Sequence, residues 1–163
     1  MMRSLEVGIK NLTFAAEFDV SSRDPNHAEE KMIGEIISET TGKRIVRRVL
    51  SDDPAQVEVS FEDSGKTLGL ATNGFGTYTS TIRPDGTIYG EGHGLMMTAD
   101  GEGASWRGSG VGKFTANGGV SYRGMLFFRT TSQKLARLNS VGGAFEYDVD
   151  PQGNTKSKIW EWK

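Results

Sequence analysis

Glu91 and His93 are the residues of this chain best suited to acid–base chemistry. They stand two apart in the run Gly90-Glu91-Gly92-His93-Gly94, and a spacing of two puts both on one face of a β-strand. A carboxylate beside an imidazole shifts the proton affinity of its neighbour and suits proton transfer. A hairpin through Pro84-Asp85-Gly86 sets Thr79 beside Glu91 and Thr77 beside His93, and Arg107 falls on the following strand. Glu91 and His93 are therefore the candidate catalytic pair. The same alternation has a plainer reading, an exposed polar face whose glycine side packs inward.

That second face is bare. Gly90, Gly92 and Gly94 share it, and Gly108, Gly110 and Gly112 form a matching trio one strand later. Two such trios make a floor without side chains, which lets a ligand, an aromatic ring or another sheet approach the backbone. Tyr78, Trp106 and Phe114 border the floor and join the six glycines as candidate ligand-binding residues. The floor has three readings: a widened lumen, aromatic cover of strand glycines, or relief of sheet curvature.

Those residues need strands to hold them. From residue 55 onward, turn signals recur at the spacing of all-β sandwiches and barrels. Pro84-Asp85-Gly86, Ala99-Asp100-Gly101, Asn117-Gly118-Gly119 and Pro151-Gln152-Gly153 separate runs rich in aromatic and β-branched residues. A three-residue loop at 151–153 sets Asp148 opposite Lys156, Glu146 opposite Lys158 and Phe145 opposite Ile159. Opposite charges meet on one face and apolar groups on the other. The same loop at 84–86 pairs Ile82 with Ile88 and Tyr78 with Gly92. A longer loop around Asp100 pairs Thr98 with Ala104 and Gly92 with Gly110. The turn at Asn117 fits a two-residue or a three-residue loop.

Residues 30–50 read as a hairpin of 31–39 and 44–50 turning at Thr41-Gly42. The alternative is a helix capped by Asp24 and Pro25 with Met32, Ile33, Ile36 and Ile37 on its apolar face. Residues 20–29 read as a loop. Residues 133–138 read as a short helix after the cap-like Ser132. The expected architecture is one all-β domain over 1–163, with 1–29 as an arm or loop. It is an antiparallel up-and-down meander barrel of about eight to ten strands, with a β-sandwich as the alternative.

Several segments resemble a group of small uncharacterised prokaryotic proteins. They are Gly90-Glu91-Gly92-His93-Gly94, Trp106-Arg107-Gly108-Ser109-Gly110-Val111-Gly112-Lys113-Phe114, Tyr122-Arg123-Gly124, Ala136-Arg137-Leu138-Asn139 and the tail Lys158-Ile159-Trp160-Glu161-Trp162-Lys163. That resemblance implies no activity. More distantly, the glycine-rich meander resembles the barrels of allene oxide cyclase-like and calycin-like proteins. The likeness implies a container for a small, mostly apolar molecule, and one branch of those folds is an isomerase. Fold alone does not fix function.

Composition narrows the choice. The 163 residues contain no cysteine and only two histidines, His27 and His93, so thiolate chemistry is excluded and no metal or other cofactor is expected. A net charge of −2 supplies no basic field for nucleic acid. No run approaches the length of a membrane span or a signal peptide, which points to the cytoplasm. Gly65-Lys66-Thr67 lacks the glycine that a phosphate-binding loop needs at position 60, which is Ser60. Asn11-Leu12-Thr13 is a glycosylation sequon only in an exported chain. Arg47-Arg48 and Arg123 with Arg129 are candidates for an anion or for cross-strand pairs. Trp160 and Trp162 fall on the strand face opposite Phe145, Tyr147 and Ile159, and an outward tryptophan pair points to a homo-oligomer. The functional expectation is a barrel binding a small apolar molecule. The alternatives are a metal-independent isomerase or cyclase, and a structural module with a filled core.

Overall fold

The structure, a computed structural model, describes residues 33–163. The readings for 1–29, including the loop at 20–29 and the Asp24-Pro25 cap, lie outside the described residues, as does His27.

Eight antiparallel strands form a closed barrel in sequential order. They are β1 (Ile33–Asp52), β2 (Ala55–Thr67), β3 (Leu70–Ile82), β4 (Ile88–Thr98), β5 (Gly103–Phe114), β6 (Val120–Thr130), β7 (Gly142–Val149) and β8 (Asn154–Trp162). Closure comes from β1 pairing with β8, from Ile33 opposite Trp162 to Lys43 opposite Asn154. Beyond that point β1 pairs only with β2, as far as Asp52 opposite Ala55. Residues 45–52 therefore leave the barrel wall with one edge unpaired among the described residues. Ile45, Val46, Val49 and Leu50 are exposed there.

The expected hairpin at 31–50 is instead the single strand β1, which runs straight through Gly42. Gly42 is required by close approach rather than by a turn. A Cβ built on it would lie 2.7 Å from Asp63 Cα on β2.

Four hairpin loops share one design. Arg83, Thr98, Thr115 and Asp150 each accept a bond from the glycine three residues on and donate to the carbonyl four residues on. At Gly118 the backbone has φ +84°, a left-handed conformation that a residue with a Cβ resists and that completes a three-residue hairpin. This settles the Asn117 turn as Ala116-Asn117-Gly118. The same three-residue design from Thr98 to Glu102 corrects the β4–β5 register by two residues. Gly92 faces Gly108 and Gly90 faces Gly110, while Met96 faces Ala104. The expected pairs across β3–β4 and β7–β8 are present, including Tyr78 with Gly92 and Glu146 with Lys158.

One end of the barrel is closed by the segment between β6 and β7. The short helix expected at 133–138 is a single 3-10 turn over Ala136–Ser140. Leu135 and Leu138, three apart as that geometry prefers, are both 0% exposed. They pack with Ile37, Met96, Ala104, Val141 and Ile159. Polar ties hold the segment to the rim. Arg137 bridges Glu35 and Glu161, Lys134 meets Asp100, and Asn139 Oδ1 accepts from Thr130 N at 2.8 Å. Burial of each leucine contributes roughly 1.5–3 kcal/mol. Among the described residues no helix is long and apolar enough to cross a membrane.

Candidate functional site

Alternation along the strands decides what each face does. Val59, Phe61 and Asp63 point inward from β2, Tyr78 from β3, Trp106 from β5, Tyr122 from β6 and Tyr147 from β7. Phe61, Tyr78, Trp106, Tyr122 and Tyr147 pack ring against ring at centroid separations of 5.6–6.3 Å. The tilted and edge-on arrangements are those aromatic quadrupoles favour.

Both glycine trios face this interior, and the rings use the space they leave. A Cβ on Gly94 would lie 2.5 Å from Trp106 Cζ2, and one on Gly112 2.6 Å from the Tyr122 ring. Phe145 approaches Gly110 in the same way, at 2.9 Å. Aromatic cover is therefore the main role of the floor. The cover is incomplete: a cavity of about 110 Å³ remains. Gly90, Gly92, Gly108 and Gly110 border it together with Tyr78 and Trp106. Gly94 and Gly112 lie under the rings, and Phe114 stands at the barrel end, 56% exposed.

The polar groups of the lumen were not singled out from the sequence. Asp63 lines the cavity, and its Oδ2 accepts from Thr40 Oγ1 at 2.9 Å. Burial raises its pKa above the usual carboxylate value, opposed by the Thr40 bond. Arg44 Nε donates to Tyr78 Oη at 2.8 Å. Burial pushes the Tyr78 phenol up to about 12 in spite of that guanidinium. Tyr122 Oη is bonded to Ser80 Oγ at 2.7 Å, and burial raises its pKa as well. Tyr147 Oη is buried, and among the described residues its polar neighbour is the Tyr78 hydroxyl, short of full hydrogen-bond geometry. Its pKa is also raised, chiefly by burial, with Tyr78 and Asp63 adding to the rise. Asp63 could have been found by counting inward positions of β2 from Val57, Val59 and Phe61.

Glu91 and His93 are both exposed on the outer face of β4, across the sheet from the lumen. Glu91 faces Thr79 and Ser109; His93 faces Thr77 and Arg107. Tyr89 Oη donates to Glu91 Oε2 at 3.3 Å. With Met125 and Phe127 these residues line an open surface groove. Among the described residues no three histidine or acidic side chains come together to hold a metal. Arg123 is engaged by Glu146 and Asp148 at 3.2 and 3.0 Å, and Arg48 pairs with Glu58, so both arginines serve cross-strand ion pairs. Glu35 pairs with Arg137.

The fold and interior define a small closed meander barrel with an aromatic, partly filled lumen. No family model matches the sequence, and no curated protein matches it either. Solved structures do resemble it. A protein with unknown function from Clostridium acetobutylicum ATCC 824 superposes with a TM-score of 0.67 at 15% identity, over 79% of this chain and 98% of that one. A conserved protein of unknown function from Rhodopseudomonas palustris gives 0.66 at 12% identity, over 78% and 95%. An enzyme from Penicillium herquei gives 0.53 at 20% identity, over 78% and 92%. At these identities the likeness is one of fold.

Proposed function

We propose that the barrel binds a small, largely apolar molecule in its lumen. The observation that supports this most is the cavity of about 110 Å³ that five aromatic rings leave beside a half-buried carboxyl. A mostly apolar space with a few fixed polar groups is the usual form of a small-molecule site. Ser157, on the lumen wall between Tyr147 and Thr40, offers the test. Ser157→Leu fills the cavity without touching a glycine. Ligand-observed NMR with small aromatic hydrocarbons should show binding to the parent and its loss in the variant. Binding equal in both, or absent from the parent, overturns the reading.

A second reading, a metal-independent isomerase or cyclase, is favoured by Asp63. A carboxyl whose pKa burial has raised is suited to take a proton from one carbon of a bound molecule and return it to another. Deuterium uptake by a bound ligand in D2O, lost in Asp63→Asn, would support it. In that reading Asp63 acts in the lumen, and Glu91 with His93 serves only a ligand of the outer groove.

Self-association is part of the proposal. Phe127, Gly142, Trp162 and Ile33 form one cross-strand row on the outer face, and Phe127 is 63% exposed. Met125, Ala144, Trp160 and Ile36 form the next row. A contiguous apolar strip of this kind suits a second copy of the chain. Light scattering across a range of concentrations should show more than a monomer; a strict monomer sinks the idea.

A further inference from the structure

Four exposed side chains on the outer face stand at the corners of one rectangle. His93 is the cross-strand partner of Arg107, and Glu91 that of Ser109. Partners lie about 5 Å apart across β4 and β5, and the two pairs are about 7 Å apart along the strands. Between them Gly92 faces Gly108, and all six residues line the same groove. The glycines present no side chain, so only backbone floors the space between the corners. Opposite charges occupy one diagonal. Glu91 and Arg107, about 7–8 Å apart at their strands, form no ion pair with each other, and no acid among the described residues lies within ion-pair distance of Arg107. Elsewhere on the wall Arg48 meets Glu58, Arg123 meets Glu146 and Asp148, and Arg137 bridges Glu35 and Glu161. Among the described residues Glu91 keeps one oxygen uncommitted, since Tyr89 Oη reaches only Oε2.

We propose that this groove binds a small zwitterion of the α-amino acid class, its carboxylate at Arg107 and its ammonium at Glu91. A ligand with both charges answers both corners, whereas an anion alone meets Glu91 and a cation alone meets Arg107. The guanidinium fork matches a carboxylate, and His93, directly across the strands, supplies a further N–H to the same group. An ammonium carries three donors. The hydroxyls of Thr79 and Ser109 flank Glu91 on its two sides and accept the protons that the carboxylate leaves over. The site is independent of the lumen, which lies on the other side of the sheet.

Three probes of nearly equal size separate the charges. Alanine carries both; lactate keeps the carboxylate and has a hydroxyl for the ammonium; alaninamide keeps the ammonium and has an amide for the carboxylate. An NMR titration read at the backbone amides of Glu91, His93, Arg107 and Ser109 should show alanine binding about fivefold more tightly than either analogue, the most that an exposed ion pair supplies. Arg107→Gln should abolish the advantage of alanine over alaninamide, and Glu91→Gln its advantage over lactate. Both positions are exposed, so neither change should disturb the fold. Lactate equal to alanine in the parent makes this an anion site, alaninamide equal to alanine makes it a cation site, and either result overturns the proposal. So does a preference that survives both variants, or alanine leaving these amides unmoved up to its solubility limit. None of these outcomes bears on the lumen, for which Ser157→Leu is the test.

Discussion

The two ends of the barrel interior are packed with different materials. Under the 131–141 segment the buried residues are aliphatic, Leu135, Leu138, Ile37, Val141 and Met96 among them, with Phe128 and Phe145 packed against their margin. Flexible and branched chains fill irregular space, and the two leucines are completely buried. Toward the opposite end rings take most of the space, Phe61, Tyr78, Tyr122 and Trp106, beside Val59, Ile88 and Val120. Rings are rigid plates. They lie well over bare glycine but do not fill the angles between one another, and the cavity lies between them and Met96, Leu126 and Ile159 of the other cluster. The space opens where rigid plates meet adaptable chains.

The largest effect should come from the aliphatic end. Leu138→Ala should cost about 2–5 kcal/mol in denaturant unfolding, from the lost burial of a completely enclosed side chain and the cavity it leaves. A loss much smaller than that would mean the end segment is not a structural plug. Next is the glycine floor. A side chain on Gly110 meets Phe145 at 2.9 Å and the Arg123 carbonyl at 2.6 Å. Gly110→Val should therefore cost about 1–3 kcal/mol by overpacking. A neutral or stabilising result would show the floor to be open after all.

Asp63 gives a smaller, pH-dependent contrast. Burial raises its pKa above 3.8, so the folded protein holds this proton more tightly than the unfolded chain. Its favourable contribution is full below the ordinary value and is lost as pH rises through the folded value. Asp63→Asn removes that dependence. The Tm of the variant relative to the parent should rise from about pH 3 to pH 7, and a constant difference would break the argument. The smallest effect belongs to the outer face. Glu91→Gln and His93→Gln should each change stability by less than about 0.5 kcal/mol and leave binding in the lumen unchanged. A loss of lumen binding in either would join the two faces functionally.

Local rules make much of the barrel readable from the sequence. Charge pairs such as Glu146 with Lys158 and the Pro-Asp-Gly loop carry their register in a few adjacent residues, and β3–β4 and β7–β8 follow from them. The β4–β5 register was misplaced because Gly103 and Ala104 look like loop, whereas Ala99-Asp100-Gly101 repeats the three-residue design. Gly42 resembled a turn because sequence does not show the neighbouring strand that crowds it. Asp63 escaped notice because residues 62–66 are polar on both faces, so alternation fades where the acid points inward. Parity alone puts the glycines, Tyr78 and Trp106 on one face, but not whether that face turns inward. The setting of the Tyr147 hydroxyl is not legible either, because it depends on what the other strands bring to it.

The overhanging stretch of β1 has a bearing on life in a crowded solution. Past Lys43 the strand runs on beside β2 with no partner on its other edge among the described residues, and an unpaired edge is a template on which other chains can add. Ile45, Val46, Val49 and Leu50 make it more adhesive. Arg47 and Arg48 interrupt that apolar run, and both are exposed. Charged side chains within an apolar edge disfavour edge-to-edge pairing; with Arg48 engaged by Glu58, Arg47 is the residue that carries that role here.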